Sequence, residues 1–233
     1  PVFCFFLNGL SYIAVIWGLL LIKTPGLAVR RNRRNILQEI REGIQYIKQN
    51  DTLVYNVYCM AVVCTIALNT DVLIPVFTKS VLGKGATGYT LLMSAIGIGS
   101  LLAALILATV SKKGLRTNRL LLSGLGIAIL QIITSFTRNY EICLVLAAGM
   151  GFAHLAFINT GNAIFQLNST DEYRGRVMSV YAFLNQGSTP IGNFLAGITM
   201  EQFGGSTGFL FCGLTTFLFL IIPFFILKKR ALQ

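Results

Sequence analysis

Seven long stretches of this chain contain no Asp, Glu, Lys or Arg. They cover residues 1–22, 52–70, 85–111, 120–137, 142–170, 177–200 and 202–227. A helix that crosses roughly 30 Å of hydrocarbon needs about 17 to 25 mostly apolar residues, because its backbone groups must all find partners inside the segment. Each stretch is long enough, if the second is extended to Phe77. The sequence therefore predicts seven membrane-spanning helices.

The positive charges fall unevenly on the two sides of these stretches. If residue 1 lies outside, 16 of the 19 Lys and Arg residues lie in the inner loops and tail, and only Lys79, Lys84 and Arg138 lie outside. Cytoplasmic loops of membrane proteins carry an excess of Lys and Arg. The predicted orientation in the plasma or inner membrane therefore has the amino end outside and the carboxy terminus in the cytoplasm.

Composition excludes an ordinary soluble domain, since the mean hydropathy is +0.71 and only 12% of the residues are charged. The net charge of +11 is explained by basic loops beside anionic lipid headgroups, so it requires no nucleic-acid partner. The five cysteines lie in apolar stretches without the paired spacing of metal ligands, which indicates small buried residues. They are Cys4, Cys59, Cys64, Cys143 and Cys212.

Three parts follow from this pattern: a first span over residues 1–22, a cytoplasmic linker over 23–52, and a bundle of six spans over 53–233. The first stretch has neither the basic start nor the cleavage site of a signal peptide, so we expect it to remain as a span. Because the chain starts outside without a signal sequence or an initiating Met, we expect it to be the carboxy-terminal part of a longer protein.

The linker contains a predicted amphipathic helix, with Asn35 as its cap and Gln38 three residues on. Its apolar face carries Ile36, Leu37, Ile40, Ile44 and Ile47. Its opposite face carries Glu39, Arg41, Glu42 and Lys48. We expect this helix to lie along the cytoplasmic membrane surface, with its apolar side in the headgroup boundary or against the bundle; docking of a partner is the alternative.

Short motifs along the chain carry a family resemblance. They are Leu7-Asn8-Gly9-Leu10-Ser11-Tyr12, Glu42-Gly43-Ile44-Gln45-Tyr46-Ile47, Leu73-Ile74-Pro75, Arg174-Gly175-Arg176-Val177-Met178, and Pro190-Ile191-Gly192 with Gly197. With these motifs in this order, the chain resembles the major facilitator superfamily over its whole length. The resemblance is to the branch of enterobactin exporters and macrolide efflux pumps. The resemblance implies that the seven spans are the sixth to twelfth of a twelve-span exporter.

The resemblance also implies a function: secondary active export of small amphipathic molecules such as drugs, antibiotics or siderophores, with proton antiport. Two six-span halves would rock around a central cavity and so alternate its access. The partners would be the substrate, a proton or other coupling ion, the lipid bilayer and the missing amino-terminal half, and no cofactor is implied.

Two further motifs are identified through this resemblance. The first lies in the loop from Ser111 to Arg116, which resembles the carboxy-half echo of the family's gating loop, although Ser111 replaces its Asp. Its gating candidates are Lys112, Lys113, Gly114 and Arg116; ordinary inside-positive charge is the alternative. The second is a predicted kink at Gly187, Pro190 and Gly192, where symmetry places the partner of the family's antiporter motif. A purely structural bend is the alternative.

His154, the single histidine of the chain, is a candidate for proton coupling or substrate binding. It lies 13 residues, or about 20 Å of helix, beyond Glu141, which puts it near the middle of the membrane. Its helical face also carries small residues such as Gly151 and Gly161, so it points away from lipid. An unperturbed imidazole titrates at about 6.5, which suits proton exchange. A neutral histidine bonded across helices is the alternative.

Other polar residues in the apolar stretches are candidates for the same site. A small, polar stripe in the sixth stretch predicts either cavity lining or a helix-packing seam, and it includes Asn185, Ser188 and Thr189. Asp71 is expected near the outer interface, paired with Lys79; an outer-gate or proton-binding carboxylate, supported by Asn69 and Pro75, is the alternative. Asn162 is a weaker candidate, as are Asn159, Gln131 and Gln186.

No phosphate-binding Walker loop, nucleophile triad or metal-ligand cluster occurs in the sequence, so we expect neither an enzyme nor an ATP-driven pump. Two alternatives to an exporter are a seven-helix receptor and a membrane protein that only packs against a partner. The short outer loops and the long insert after the first span count against the receptor.

Overall fold

The structure is a computed structural model that describes residues 2–21, 36–110 and 117–230, with side chains for residues 6–21, 38–109 and 117–222. This part of the chain is helical almost throughout, with ten α-helices and two short π-helical segments. The α-helices are α1 Val2–Leu20, α2 Ile36–Lys48, α3 Asp51–Val62, α4 Thr70–Ser80, α5 Ala86–Val110, α6 Thr117–Phe136, α7 Tyr140–Leu167, α8 Asp171–Ala182, α9 Thr189–Phe203 and α10 Thr207–Arg230. The first π segment is Val63–Ala67 and the second is Phe183–Gly187.

The predicted all-helical membrane fold is confirmed. Four helical stretches within the described residues are long and apolar enough to cross a membrane: Asp51–Ser80, Ala86–Thr109, Thr117–Phe136 and Tyr140–Leu167. Shorter apolar helices, Phe6–Leu20 and Thr207–Ile222, lie within α1 and α10. The sixth predicted stretch corresponds to α8, the second π segment and α9.

The chain divides into two compact units, Pro1–Gln38 and Glu39–Gln233. The first contains α1, whose described side chains are exposed over residues 6–21. The second contains α3 to α10 and most of α2. The predicted linker, residues 23–52, lies partly outside the described residues, so its boundaries remain predictions.

Glycines set a close helix crossing in the second unit, between α5 and α7. A Cβ added at Gly99 would lie 1.8 Å from the Ala148 carbonyl oxygen, and one added at Gly151 would lie 2.1 Å from the Ile96 carbonyl oxygen. The Ser100 hydroxyl donates across the crossing to the Gly151 carbonyl at 3.1 Å. Small residues let helix backbones approach in this way in lipid, where packing rather than water exclusion drives association.

Buried side chains in the second unit form two apolar clusters. One includes Leu53, Met60 and Phe157, and the other includes Phe77 and Phe209, whose rings meet edge to face at 5.1 Å. Four of the cysteines are free and buried within these helices: Cys59, Cys64, Cys143 and Cys212. The Cys4 side chain lies outside the described residues.

Asparagine caps begin two of the long helical stretches. The Asn50 side-chain oxygen accepts from the Thr52 N–H at 3.0 Å and starts α3. The Asn139 side-chain oxygen accepts from the Glu141 N–H at 2.9 Å and starts α7. Such caps satisfy N–H groups that have no partner inside the helix.

The apolar face predicted for the linker helix α2 is buried in the protein only in part. Ile40 and Ile44 are 53% and 44% exposed, while Gly43 and Ile47 are buried. Glu42, expected on the free polar face, forms an ion pair with Arg176 at the start of the sixth stretch, N to O 2.9 Å. The contact is close because an added Cβ on Gly43 would lie 3.0 Å from the Arg176 Cβ.

Tyr46 completes this α2 contact. Its ring stacks on Tyr173 of α8 with centroids 4.5 Å apart. Its hydroxyl donates to the Asn168 carbonyl at 3.4 Å and accepts from the Thr170 N–H at 3.1 Å. Two motifs that carry the family resemblance, one in the linker and one before the sixth stretch, therefore pack on each other.

Candidate functional site

The second stretch is an interrupted helix. After α3 the backbone widens into the first π segment, leaves helical geometry at Leu68 and Asn69, and resumes as α4 at Thr70. The Leu68 N–H donates to the Val63 carbonyl at 3.1 Å, which is the five-residue spacing of a π turn. Farther along, Pro75 lies inside α4 and has no N–H to offer the preceding turn.

Two amide side chains satisfy the carbonyls freed by this interruption. The Asn69 amide donates to the Thr65 carbonyl at 3.0 Å and to the Ile66 carbonyl at 2.9 Å. The Gln131 amide of α6 donates to the Ala67 carbonyl at 2.7 Å. Such partners are required because a backbone carbonyl without one is costly in hydrocarbon. Asn69 and Gln131 are 1% and 0% exposed, so both are structural parts of the interruption.

The sixth stretch is interrupted as well. The second π segment ends at Gly187, the chain bends at Ser188, and α9 starts with Pro190 in its first turn. Proline is well placed there because the first helical N–H groups have no partner inside the helix. The Ser188 hydroxyl donates back to the Leu184 carbonyl at 2.6 Å.

The two interrupted helices meet at Gly192. The first π segment packs against both α9 and the second π segment. A Cβ added at Gly192 would lie 1.7 Å from the Thr65 carbonyl oxygen and 2.6 Å from the Asn69 amide atoms. Only glycine fits there, because the obstacle is backbone and not a flexible side chain.

His154 borders a small cavity beside the first interruption, near the middle of α7. The cavity has room for about one water molecule. It is lined by Ala67, Leu68, Thr70, Ile96, Ile127, Gln131, Met150, Gly151 and His154. Asp71 follows Thr70 at the start of α4, and its side chain is exposed. Of the residues singled out in the sequence, the structure places His154 and Gln131 at this cavity.

The remaining candidates lie elsewhere. Ser188 is buried, Asn185 and Thr189 are half-buried, and the Thr189 hydroxyl donates to the Asn185 carbonyl at 3.4 Å. The Asn162 side-chain oxygen accepts from Gln166 on the same helix. The gating-loop candidates Lys112, Lys113, Gly114 and Arg116 lie outside the described residues, so their role remains a prediction.

Asp71 does not form the expected ion pair. Within the described part of the chain no ion pair joins it to Lys79. The helix is interrupted before Asp71. Because α4 starts at Thr70 as a separate helix, Asp71 lies in its first turn, one residue after Thr70, which lines the cavity. Residues 39–109 and 117–222 contain no group of three or more His, Cys, Asp and Glu that could hold a metal ion.

The sequence analysis gave too little weight to Gln131 and overlooked Thr70 and Asn56. Asn56 is fully buried and donates to the Gly161 carbonyl at 3.0 Å. One signal was available: three consecutive polar residues, Asn69 to Asp71, in an otherwise apolar stretch. Such a run disfavours a continuous spanning helix, because its side chains can bond to nearby backbone instead.

Fold and site together define a multi-pass membrane protein with two interrupted spans. The family profile described as transmembrane secretion effector matches residues 1–231, and the chain belongs to this family of the major facilitator superfamily. The recognition made from the short motifs is thus confirmed.

Two curated relatives align with part of the chain. The staphyloferrin A transporter of Staphylococcus aureus is 29% identical over 163 residues, which cover 69% of this chain and 40% of the relative. The multidrug efflux pump Tap of Mycolicibacterium fortuitum is 28% identical over 141 residues, which cover 60% of this chain and 34% of the relative. The alignments thus span less than half the length of either relative. No solved structure matches the chain.

Proposed function

We propose that the protein is a secondary active exporter of small amphipathic molecules, driven by protons that bind at His154 and Asp71. The observation that supports this most directly is the position of His154 at a cavity beside an interrupted helix, whose second part, α4, carries Asp71 in its first turn. Ionisable residues are rare in spans and usually serve transport when they occur. Interrupted helices near the membrane centre are typical of coupling-ion and substrate sites in secondary transporters.

Family membership favours transport over the receptor alternative. The two relatives are named as a staphyloferrin A transporter and a multidrug efflux pump. Their names support siderophores and amphipathic drugs as the substrate classes. Alternating access would use the two interruptions as flexible points, because neither the first nor the second π segment continues as regular α-helix.

A transport assay tests the coupling. Inverted membrane vesicles containing the whole protein would be energised with a pH gradient, and uptake of ethidium, erythromycin and staphyloferrin A would be measured. We expect His154→Ala and Asp71→Asn to lose gradient-driven uptake of whichever probe the wild type accumulates. Asp171→Asn is the matched control, since Asp171 is an exposed carboxylate outside the spans, paired with Arg174 at 2.7 Å.

Unchanged uptake with an unchanged pH profile in both variants would leave His154 and Asp71 with a packing role only. Lack of uptake of all three probes by the wild type would favour a membrane protein that only packs against a partner. Folding of each variant is checked by its elution as a single species in detergent.

Orientation is part of the same proposal. The excess of Lys and Arg in the predicted inner loops supports an outer position for Lys84 and an inner one for Lys48. A membrane-impermeant maleimide applied to intact cells should label Lys84→Cys and spare Lys48→Cys. The reverse pattern would invert the topology.

A further inference from the structure

A second cavity lies where two of the spans are joined. It has a volume of about 380 Å³ and is lined by residues from the end of α4, the start of α5 and the connection between them. The helical stretches that end at Ser80 and begin at Ala86 are both long and apolar enough to cross a membrane. Their connection, and the cavity with it, therefore lies at the level of the lipid headgroups, whichever side of the membrane it faces.

Two lysines line this cavity, and none of its lining residues is acidic. Lys79 lies in the last turn of α4, and Lys84 lies in the connection. Both are exposed, and neither forms an ion pair within the described part of the chain. The first turn of α5, which begins beside them, carries no acidic residue either. The positive charge of the cavity is therefore left for an anionic ligand to neutralise.

The connection that carries Lys84 is fixed by contacts with its neighbours. The Lys84 N–H donates to the Thr78 carbonyl at 3.0 Å, and its ammonium nitrogen lies 5.5 Å from the centre of the Tyr140 ring of α7. Tyr140 is itself held in place, because its hydroxyl donates to the Gly88 carbonyl at 2.9 Å. An aromatic ring attracts an ammonium group without removing its charge. A ligand at this connection therefore costs little ordering of the protein.

The rest of the lining is mostly apolar. Its apolar wall consists of Pro75, Ala86 and the half-buried ring of Tyr89. The Thr78 hydroxyl is already used, because it donates to the Ile74 carbonyl at 2.6 Å. Lysine side chains can lay their hydrocarbon stems along such a surface while their ammonium groups stay in the polar headgroup layer. The cavity thus combines an apolar wall with two positive charges, which fits an amphipathic anion.

We propose that this cavity binds one acidic phospholipid, with its phosphate at Lys79 and Lys84 and the start of one acyl chain against the apolar wall. The position at headgroup level and the apolar wall favour a lipid over a free anion, which would use the lysines alone. The volume of about 380 Å³ falls in the lower part of the range for small-molecule sites, about 300 to 1,000 Å³. This site is separate from the cavity beside His154 and does not depend on what the protein transports.

The experiment is photo-crosslinking of the whole protein, purified in detergent, with a phosphatidylglycerol that carries a diazirine on its acyl chain. Mass spectrometry locates the crosslinks. The readout is the lipid concentration that half-saturates crosslinking within residues 75–89, so that lipid bound at other basic segments does not count. In the wild type we expect unlabelled phosphatidylglycerol to compete well, and phosphatidylcholine and inorganic phosphate to compete poorly.

Substitution of the lysines tests the charge. A lysine beside an anionic lipid contributes about fivefold in affinity. Lys79→Gln and Lys84→Gln should each raise the half-saturating concentration about fivefold, and the double variant should raise it about 25-fold. Lys48→Gln is the matched control, since Lys48 is an exposed lysine at the end of α2 that does not line the cavity. It should leave crosslinking within residues 75–89 unchanged.

A second variant tests the apolar wall while both lysines remain. Ala86→Phe fills part of the cavity and should weaken crosslinking about fourfold for each lipid methylene group that it displaces. Ala86 is exposed at the start of α5, so the larger side chain does not disturb the core. Each variant is checked for elution as a single species in detergent. If the double lysine variant fails this check, the single variants and Ala86→Phe decide.

Equal competition by phosphatidylglycerol and phosphatidylcholine, or unchanged half-saturation in the lysine variants, would overturn the acidic-lipid site. Unchanged crosslinking in Ala86→Phe would overturn the placement of the acyl chain. Displacement of the labelled lipid by inorganic phosphate would indicate a site for a free anion and would also overturn the proposal. None of these readouts involves transport, so a negative result here leaves the proposed function as it stands.

Discussion

Substitution of Gly192 by alanine tests whether the crossing of the two interrupted helices is as close as the structure shows. The new Cβ would lie 1.7 Å from the Thr65 carbonyl oxygen, so α9 must move away from the first π segment. It would also lie 2.6 Å from the Asn69 amide, which bonds the Thr65 and Ile66 carbonyls. The change should therefore loosen both the helix crossing and the cap of the interruption.

Gly197 provides a matched control on the same helix. An added Cβ at Gly197 meets nothing within 4 Å, and alanine is favoured over glycine in a helix by about 1 kcal/mol. Overpacking at a tight contact costs about 1 to 3 kcal/mol. Because both glycines lie in α9, the helix preference cancels, and Gly192→Ala and Gly197→Ala should differ in unfolding free energy by the overpacking cost of about 1 to 3 kcal/mol.

The assay is thermal unfolding of the purified protein in detergent, followed with a dye that fluoresces on reaction with the buried cysteines. For a chain of this size each kcal/mol shifts Tm by about 2 to 4 °C, so the two variants should separate by about 2 to 12 °C. Gly192→Ala should also lower transport of any probe that the wild type moves. Equal Tm values for the two variants would refute the close crossing and the role assigned to Gly192.

Three further predictions concern the contacts of the bundle. A double-mutant cycle of Glu42→Gln and Arg176→Gln should give a coupling energy of about 1 kcal/mol that weakens in high salt; a coupling of zero would contradict the ion pair. Tyr46→Phe should lower the unfolding free energy by about 1 kcal/mol, because two hydrogen bonds to the neighbouring loop are lost, and an unchanged Tm would argue against those bonds. Gly99→Ala should destabilise the protein by about 1 to 3 kcal/mol, measured by the same thermal assay against Gly97→Ala, whose Cβ meets nothing within 4 Å; similar Tm values would exclude the close α5 crossing.

Some features of the site were visible in the sequence. His154 stood out as the single histidine, and Asp71 as a carboxylate close to an apolar stretch. What the sequence could not indicate was the cavity that His154 borders, since residues of other helices line it. Gln131 shows the same limit: one polar residue in an apolar stretch predicts a partner across helices, but that partner, the Ala67 carbonyl, is 64 residues away.

The linker helix gives a second example. Its periodicity correctly predicted a helix, and the structure places it at Ile36–Lys48. The apolar stripe did not indicate that a small residue, Gly43, and an ion pair, Glu42 with Arg176, also take part in the contact with the bundle. Close approach of backbones depends on the shape of the opposite surface, which periodicity does not encode.

The sequence by itself determined that this chain is a helical membrane protein of the major facilitator superfamily. It could do so because hydrocarbon acts on each segment separately, and apolar length and loop charge are local properties. Only the tertiary structure decided where two of the spans break, which amides satisfy the freed carbonyls, and that His154 shares a cavity with Gln131. These features depend on contacts between helices that are distant in the chain, and such contacts exist only once the bundle has packed.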